Sequence, residues 1–434
     1  VRRVSLLLAV ALTAGACGNA AVVREAEPFE GRWKSEGFGT YLVIEEGEIR
    51  IYETTDISCV RVVSGSARGV SDVLSFEGKR LVLDDTGRIV KYDKVDAVPE
   101  ACGRAWGSDD PQRAFDVLMA NIEDHYVFFS DVGDTWPAMR QAADDRVDST
   151  TTDAELAAVI TDVLSSLRGR QLRLAVDDVE LLPPDGTWPA GVGNQAADLL
   201  AADQAAGVRL QEGWVIEGQD GIVSGVTTAG IPYMAIRQLA AFDDEQGESP
   251  RILAGIIDAW LGMAQDLDAP GVILDLRANP GGQDINALLI ASRFVPDERV
   301  VLTREVRVEG TDRFVPAGSA TVRPTIQGPY DGEVVVLIGP GTAGSAEVLA
   351  LAVRDLPGVT LMGERTSGSL APILVRALPN GWAVGLPNER VSDIDGIEWE
   401  GIGLEPEVGV TLTIADLESG ADPGLATAEA LLGG

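Results

Sequence analysis

Histidine and lysine are nearly absent from this 434-residue chain. His125 is the single histidine, and the four lysines, Lys34, Lys79, Lys91 and Lys94, all lie near the N-terminal end. Apart from His125, every later basic side chain is an arginine, which stays protonated at any working pH and cannot take a proton from a substrate or nucleophile. The same shortage excludes histidine–cysteine metal sites: with three cysteines and one histidine there is no ligand spacing, nor is there an EF-hand loop. No metal and no cofactor is therefore expected. Positive charge is scarce overall, with 34 basic against 68 acidic side chains and a net charge of −34. That balance argues against nucleic acid as a partner, because phosphate contacts need a basic face. The acidic excess reads as a solvated surface.

The first residues are a targeting segment. Arg2 and Arg3 precede an apolar stretch, Val4 to Leu12, that is too short to span a bilayer, and small residues Ala14-Gly15-Ala16 lead to Cys17. This resembles a bacterial lipoprotein signal in which Cys17 becomes the lipidated residue, although Ala14 stands where leucine is more usual. A plain secretory peptide is the alternative. Either way export is expected, and lipidation would make the membrane a partner through the anchor. Export favours pairing the two remaining cysteines, Cys59 and Cys102. A bridge there closes a loop of about 43 residues and contributes about 4 kcal/mol in the chain-entropy model.

Beyond the signal (1–16) and a polar tether from Cys17 (17–28), the sequence reads as four regions. Residues 29–107 carry short alternating runs such as YLVIEE, EIRIYETT and RLVLDDTG, separated by turn residues, which predicts a small antiparallel β domain. Residues 108–175 predict a helical cap. Phe115, Leu118, Met119 and Ile122 fall at helical spacing, as do Leu156, Val159, Ile160, Val163, Leu164 and Leu167, with Asp153 placed to cap the second helix. From about 175 to 230 glycine and proline punctuate the text and no regular element is predicted. In the remainder of 176–415 strands and helices alternate: IPYMAIRQL, RILAGIIDAWLGMAQDL, GVILDLR, INALLIASRF, EVVVLIGP, AEVLALAVRDL and VTLMGER. Such alternation predicts an α/β core with helices on both faces of a sheet. Residues 416–434 are a C-terminal tail.

Two turns could carry chemistry. Asp275-Leu276-Arg277-Ala278-Asn279-Pro280-Gly281-Gly282 follows a buried strand, and its glycines leave backbone N–H groups free to line an oxyanion hole, or simply turn the chain. Gly339 to Glu347 joins a second buried strand to an amphipathic helix, with Ser345 at the junction as a nucleophile held near the positive end of the helix dipole. The plainer alternative is that Ser345 or Thr342 caps that helix.

Taken together, DLRANPGG, GTAGSAEVLALAVRD, VTLMGERTSG and GIEWEGIGLEPEV resemble the tail-specific (C-terminal processing) and tricorn-core serine peptidases over roughly residues 110 to 410. No sequence sign of a PDZ module is present, so the similarity is to the PDZ-less branch. The resemblance implies an α/β peptidase core with a helical cap and a peptide or unfolded-protein substrate. Ser345 would be the nucleophile, Gly281, Gly282 and Ala346 the oxyanion donors, and Glu400 the orienting acid. It also exposes a departure. The family's serine lies three residues before the glutamate, which here is Gly344, and Ser345 comes one residue later. The branch with a lysine base would place it where Ser369 stands, after Thr366-Ser367-Gly368. The branch with a histidine would place it where Gln171 stands.

A serine hydroxyl is a weak nucleophile without an adjacent base. His125 is either a packing residue of the cap or a relocated base, while Gln171 can orient a peptide but not accept a proton. Glu400, Glu398 or Asp275 could serve only if burial raised the carboxylate pKa. Two readings stay open: an exported serine peptidase acting on peptides or misfolded envelope proteins, and an inactive pseudopeptidase that binds peptides as scaffold or sensor.

Overall fold

The computed structural model describes residues 26–85, 87–169, 172–176, 179–181, 210–215, 221–239 and 249–433. The expected signal segment with Cys17, and Gln171, lie outside the described residues. The chain divides into two compact units, 1–187 with 304–318 and 371–390, and 188–303 with 319–370 and 391–434.

In the first unit seven strands between Gly31 and Val95 pair antiparallel. Their inward residues, among them Trp33, Leu42, Ile44, Leu81, Leu83 and Val90, form one core. A disulfide joins Cys59 to Cys102 across a Cα–Cα distance of 4.7 Å. The helices Pro111–His125 and Asp153–Ser165 bury Phe115, Leu118, Ile122, Leu156, Ile160 and Leu164 in a second core of the same unit. The second helix is capped by Thr152 rather than Asp153: Thr152 Oγ1 accepts from Glu155 N–H while the Glu155 carboxylate accepts from Thr152 N–H. This reciprocal box satisfies two orphan donors at once, which Asp153 at the first helical position cannot do.

Contiguous sequence blocks set the β domain apart from the cap and place 304–318 and 371–390 in the peptidase core. Here all of them belong to one unit. The hairpin Ile373–Ala377 and Ala383–Pro387 pairs with Arg173–Val176, and Gly318 pairs with Arg88. Long-range strand pairing of this kind leaves no local signal, so contiguous sequence blocks misplace it.

The second unit is a seven-stranded sheet in the order 210–215, 222–227, 232–236, 271–275, 333–338, 359–363, 408–409. Its first two pairings are antiparallel and the rest parallel. Side chains alternate between two apolar layers, as the period-2 geometry of strands requires. Met234, Ile236, Val272, Leu274, Val334, Val336 and Ile338 join the helices Ser249–Asp266, Asp284–Ala291 and Ser345–Val353 on one face. Tyr233, Ala235, Ile273, Val335 and Leu337 join the helix Pro423–Leu431 on the other. Each fully buried aliphatic side chain here stabilises by about 1.5–3 kcal/mol. The α/β class with helices on both faces is thus as expected. Strands 210–215 and 222–227 fall where the sequence offered no regular element. Gly225 interrupts the apolar pattern of IVSGVT, and the strand is fixed by its register with 232–236, where Gly225 faces Tyr233.

Candidate active site

The site is built from two turns at the C-terminal ends of neighbouring parallel strands, Gly271–Asp275 and Glu333–Ile338. The first turn begins with a buried ion pair. Arg277 Nε lies 3.0 Å from both carboxylate oxygens of Asp275, and its Nη1 and Nη2 donate to Asp422 at 2.9 and 2.7 Å. Tyr233 Oη also donates to Asp275, at 2.9 Å. Asp275, one of the carboxylates weighed as a base, is therefore committed to holding the strand end. Asn279 is fully buried; its Oδ1 accepts from Gly281 N–H at 2.8 Å and its carbonyl from Ala343 N–H at 2.9 Å. Thr342 Oγ1 donates to Leu276 O at 2.8 Å, so both turns are sewn into one piece.

At the second turn Gly344 stands at φ +56°, ψ −124°, immediately before the helix Ser345–Val353. A residue with a Cβ is strained there, yet a Cβ built at Gly344 meets nothing closer than 3.6 Å. Conformation, not crowding, is what the glycine relieves. Gly281 opposite is different: at φ +102° its Cβ would come within 2.8 Å of Ala343 O and 3.0 Å of Ser345 N.

Ser345 is the first residue of its helix and is 5% exposed. Its Oγ donates to Asp284 Oδ1 at 2.6 Å. Asp284 is itself the first residue of the helix Asp284–Ala291, so two helix N-termini bring hydroxyl and carboxylate together. Neither plain alternative for the hydroxyls holds. Thr342 binds a carbonyl of the other turn, and Ser345 sits inside the helix with its Oγ on Asp284.

The expected oxyanion donors need correction. Gly281 N–H is taken by Asn279, and Ala346 N–H by Ala343 O at 3.1 Å, because each closes its own tight turn. Among the described residues, Gly282 N–H and Ser345 N–H have no protein acceptor; the latter belongs to the unpaired first turn of a helix.

Glu347 is the residue the sequence reading underrated. Fully buried, it accepts from Thr366 Oγ1 (2.6 Å), Gly368 N–H (2.8 Å), Ser369 N–H (2.8 Å) and Gly344 N–H (3.2 Å). Burial raises its pKa despite those donors. It clamps the Gly344 turn to the 366–369 loop, and Gly401 N–H donates to Gly368 O on the far side of that loop. Ser369, where the resemblance puts a lysine, shares a 2.6 Å hydrogen bond with Ser367. Glu400 is buried at 2% exposure and is not a hydrogen-bond partner of Ser345 Oγ. His125 lies in the first unit, 1% exposed, with Nε2 3.4 Å from Thr54 O. Desolvation first, then the positive charges of Arg376 and Arg307, hold its pKa well below the usual imidazole value. Asp284 escaped sequence reading altogether, since an acid in the first turn of a helix is common and nothing local ties it to Ser345.

Comparison with known proteins bears on the stretch that carries both turns. Residues 244–410 match Peptidase family S41. The S41 match contains Asp284, Ser345, Glu347 and Glu400. A carboxyl-terminal-processing protease of Synechocystis is 31% identical over 163 residues, 36% of each chain. The carboxy-terminal processing protease CtpA of Bacillus subtilis is 31% identical over 33% of this chain and 29% of its own. The chain thus spans about a third of the length of the curated relatives it matches. Among solved structures, a candidate peptidase from Parabacteroides merdae superposes with TM-score 0.61 at 20% identity, covering 75% of this chain and 97% of that one. Mature CPAF gives 0.54 at 10% identity, covering 74% and 95%. The solved structures carry the fold alone, and the expected similarity to tail-specific (C-terminal processing) peptidases is found over residues 244–410.

Proposed function

We propose that the protein is an exported serine-type peptidase that acts on peptides or misfolded envelope proteins, with Ser345 as nucleophile. The observation that supports this best is the Ser345 Oγ–Asp284 contact at 2.6 Å, in a site where Gly282 N–H and Ser345 N–H have no acceptor among the described residues. A hydroxyl already donating to a carboxylate is oriented and polarised for attack on a carbonyl. Donors at a strand-to-helix turn suit a developing oxyanion. The names of the similar proteases suggest chain ends as substrates, and an extended peptide would be held by strand addition. Export would run through the leader at residues 2–16, with Cys17 as the lipid attachment point.

A second reading has its own support in Gly344. The strained strand-to-helix position is where a nucleophile is held by rule, and here it carries no side chain. On that reading the site binds peptides without cutting them.

Hydrolysis of an unfolded casein-like substrate by wild type and by Ser345→Ala, from about pH 6 to about 10, separates the two. The serine-peptidase reading expects turnover and fluorophosphonate labelling at Ser345, both lost in the variant. Equal, background rates with peptide binding intact in both proteins would establish the pseudopeptidase.

A further inference from the structure

We propose that Asp284 is the general base of the reaction at Ser345; this rests on the serine-peptidase reading above. The donor direction is already that of the required proton transfer, from Ser345 Oγ to Asp284 Oδ1 over 2.6 Å, and an O–H···O⁻ contact of this length is among the stronger hydrogen bonds. The distance is fixed by the fold rather than by two flexible side chains. Each residue opens its helix, and the turns preceding those helices are joined through Ala343 N–H to Asn279 O and Thr342 Oγ1 to Leu276 O.

Among the described residues, three other buried carboxylates of the second unit, Asp275, Glu347 and Glu400, are not hydrogen-bond partners of the hydroxyl. Asp275 is held by Arg277 and Tyr233, Glu347 by four donors, and Glu400 does not bond Ser345. No lysine follows Lys94.

The chemistry balances with water as the only co-reactant. Ser345 Oγ forms a bond to the scissile carbonyl carbon as its proton passes to Asp284. Gly282 N–H and Ser345 N–H, which have no acceptor among the described residues, would receive the oxyanion. The C–N bond then breaks and the Asp284 proton goes to the leaving amine. Water next gives a proton to Asp284 while its oxygen attacks the acyl carbon. The C–Oγ bond breaks, and the proton returns to Ser345.

Asp284→Asn is the discriminating variant. An amide oxygen still accepts the Ser345 hydrogen bond, so a purely structural role is largely kept, but it cannot take the proton. The full chain is assayed for casein hydrolysis and for fluorophosphonate labelling of Ser345 by mass spectrometry. Asp284→Asn is expected to lower both rates by about 10²–10⁴-fold, with Asp284→Glu recovering part of the loss. The wild-type pH–rate profile is expected to lack a rise through the imidazole or amine range. If Asp284→Asn keeps turnover within about threefold of wild type while Ser345→Ala is inactive, the base lies elsewhere and the peptidase reading survives. Should wild type itself neither hydrolyse nor label, that reading fails and Asp284 falls with it. If Asp284→Asn does not fold, Asp284→Glu and the wild-type profile carry the test, and a rise through the imidazole range overturns the proposal.

Discussion

At the scale of single residues, two adjacent positions divide what a serine-peptidase site usually combines. Gly344 holds the strained turn, and Ser345 carries the hydroxyl. Gly344→Ser is therefore an informative change. Its Cβ fits, with the nearest atom at 3.6 Å, and the cost is backbone strain of about 1–3 kcal/mol. If Ser345 with Asp284 is the working pair, Gly344→Ser placed on Ser345→Ala restores no hydrolysis, and urea unfolding shows only the strain. Recovered turnover in the double variant would identify position 344 as the productive one and the natural chain as a protein that has lost its nucleophile. Counting back three residues from Glu347 was enough to flag Gly344 in the sequence. Asp284 was not legible: it lies 61 positions from Ser345, and only the parallel register of 271–275 with 333–338 brings their following helices together. His125 was visible as the lone histidine, but its burial against Thr54 could not be read from DHYVFF.

At the scale of elements, periodicity served well wherever a strand or helix buries one clean face. The helices 111–125 and 153–165 and the strands 271–275 and 333–338 were legible for that reason. The docking of the helix Pro423–Leu431 was not, because a buried ion pair helps to secure it rather than a long apolar stripe alone. Arg277 reaches Asp422, the residue that caps this helix by accepting from Leu425 N–H. Although burial opposes it, the hydrogen bond and charge of Arg277 hold the Asp422 pKa below the usual carboxylate value. A depressed folded pKa stabilises above the unfolded value, and that stability is lost as pH falls through the folded one. Acid should therefore loosen the 423–431 helix first, seen as a fall in amide protection there, relative to the intrinsic exchange rate at each pH, while the 345–353 helix stays protected. Asp422→Asn should exchange rapidly in the same helix already at neutral pH, with little further change on acidification. Breaking one partner of so buried a pair costs about 3–5 kcal/mol.

For the whole molecule, the α/β class could be read from alternating elements, but the division into units could not. Contiguous blocks suggested a β domain, a cap and a core, whereas 304–318 and 371–390 return to the first unit through strand pairing. Composition speaks at this scale too. The proposed export rests on the Cys59–Cys102 disulfide, which an oxidising compartment favours, and on the composition of residues 2–17. Lipidation and plain secretion then make different demands on one residue. Under lipidation, wild type partitions with membranes, resists a salt wash and gains the mass of an acylated Cys17, while Cys17→Ser is released or retained as unprocessed precursor. Under plain secretion the two proteins behave alike and the mature N-terminus carries no lipid. Because the Cys59–Cys102 bridge does not involve Cys17, thiol labelling of the same samples reports compartment separately. A formed bridge in a soluble wild type would keep export and discard the anchor, whereas two free thiols in the cell-derived protein would count against export itself.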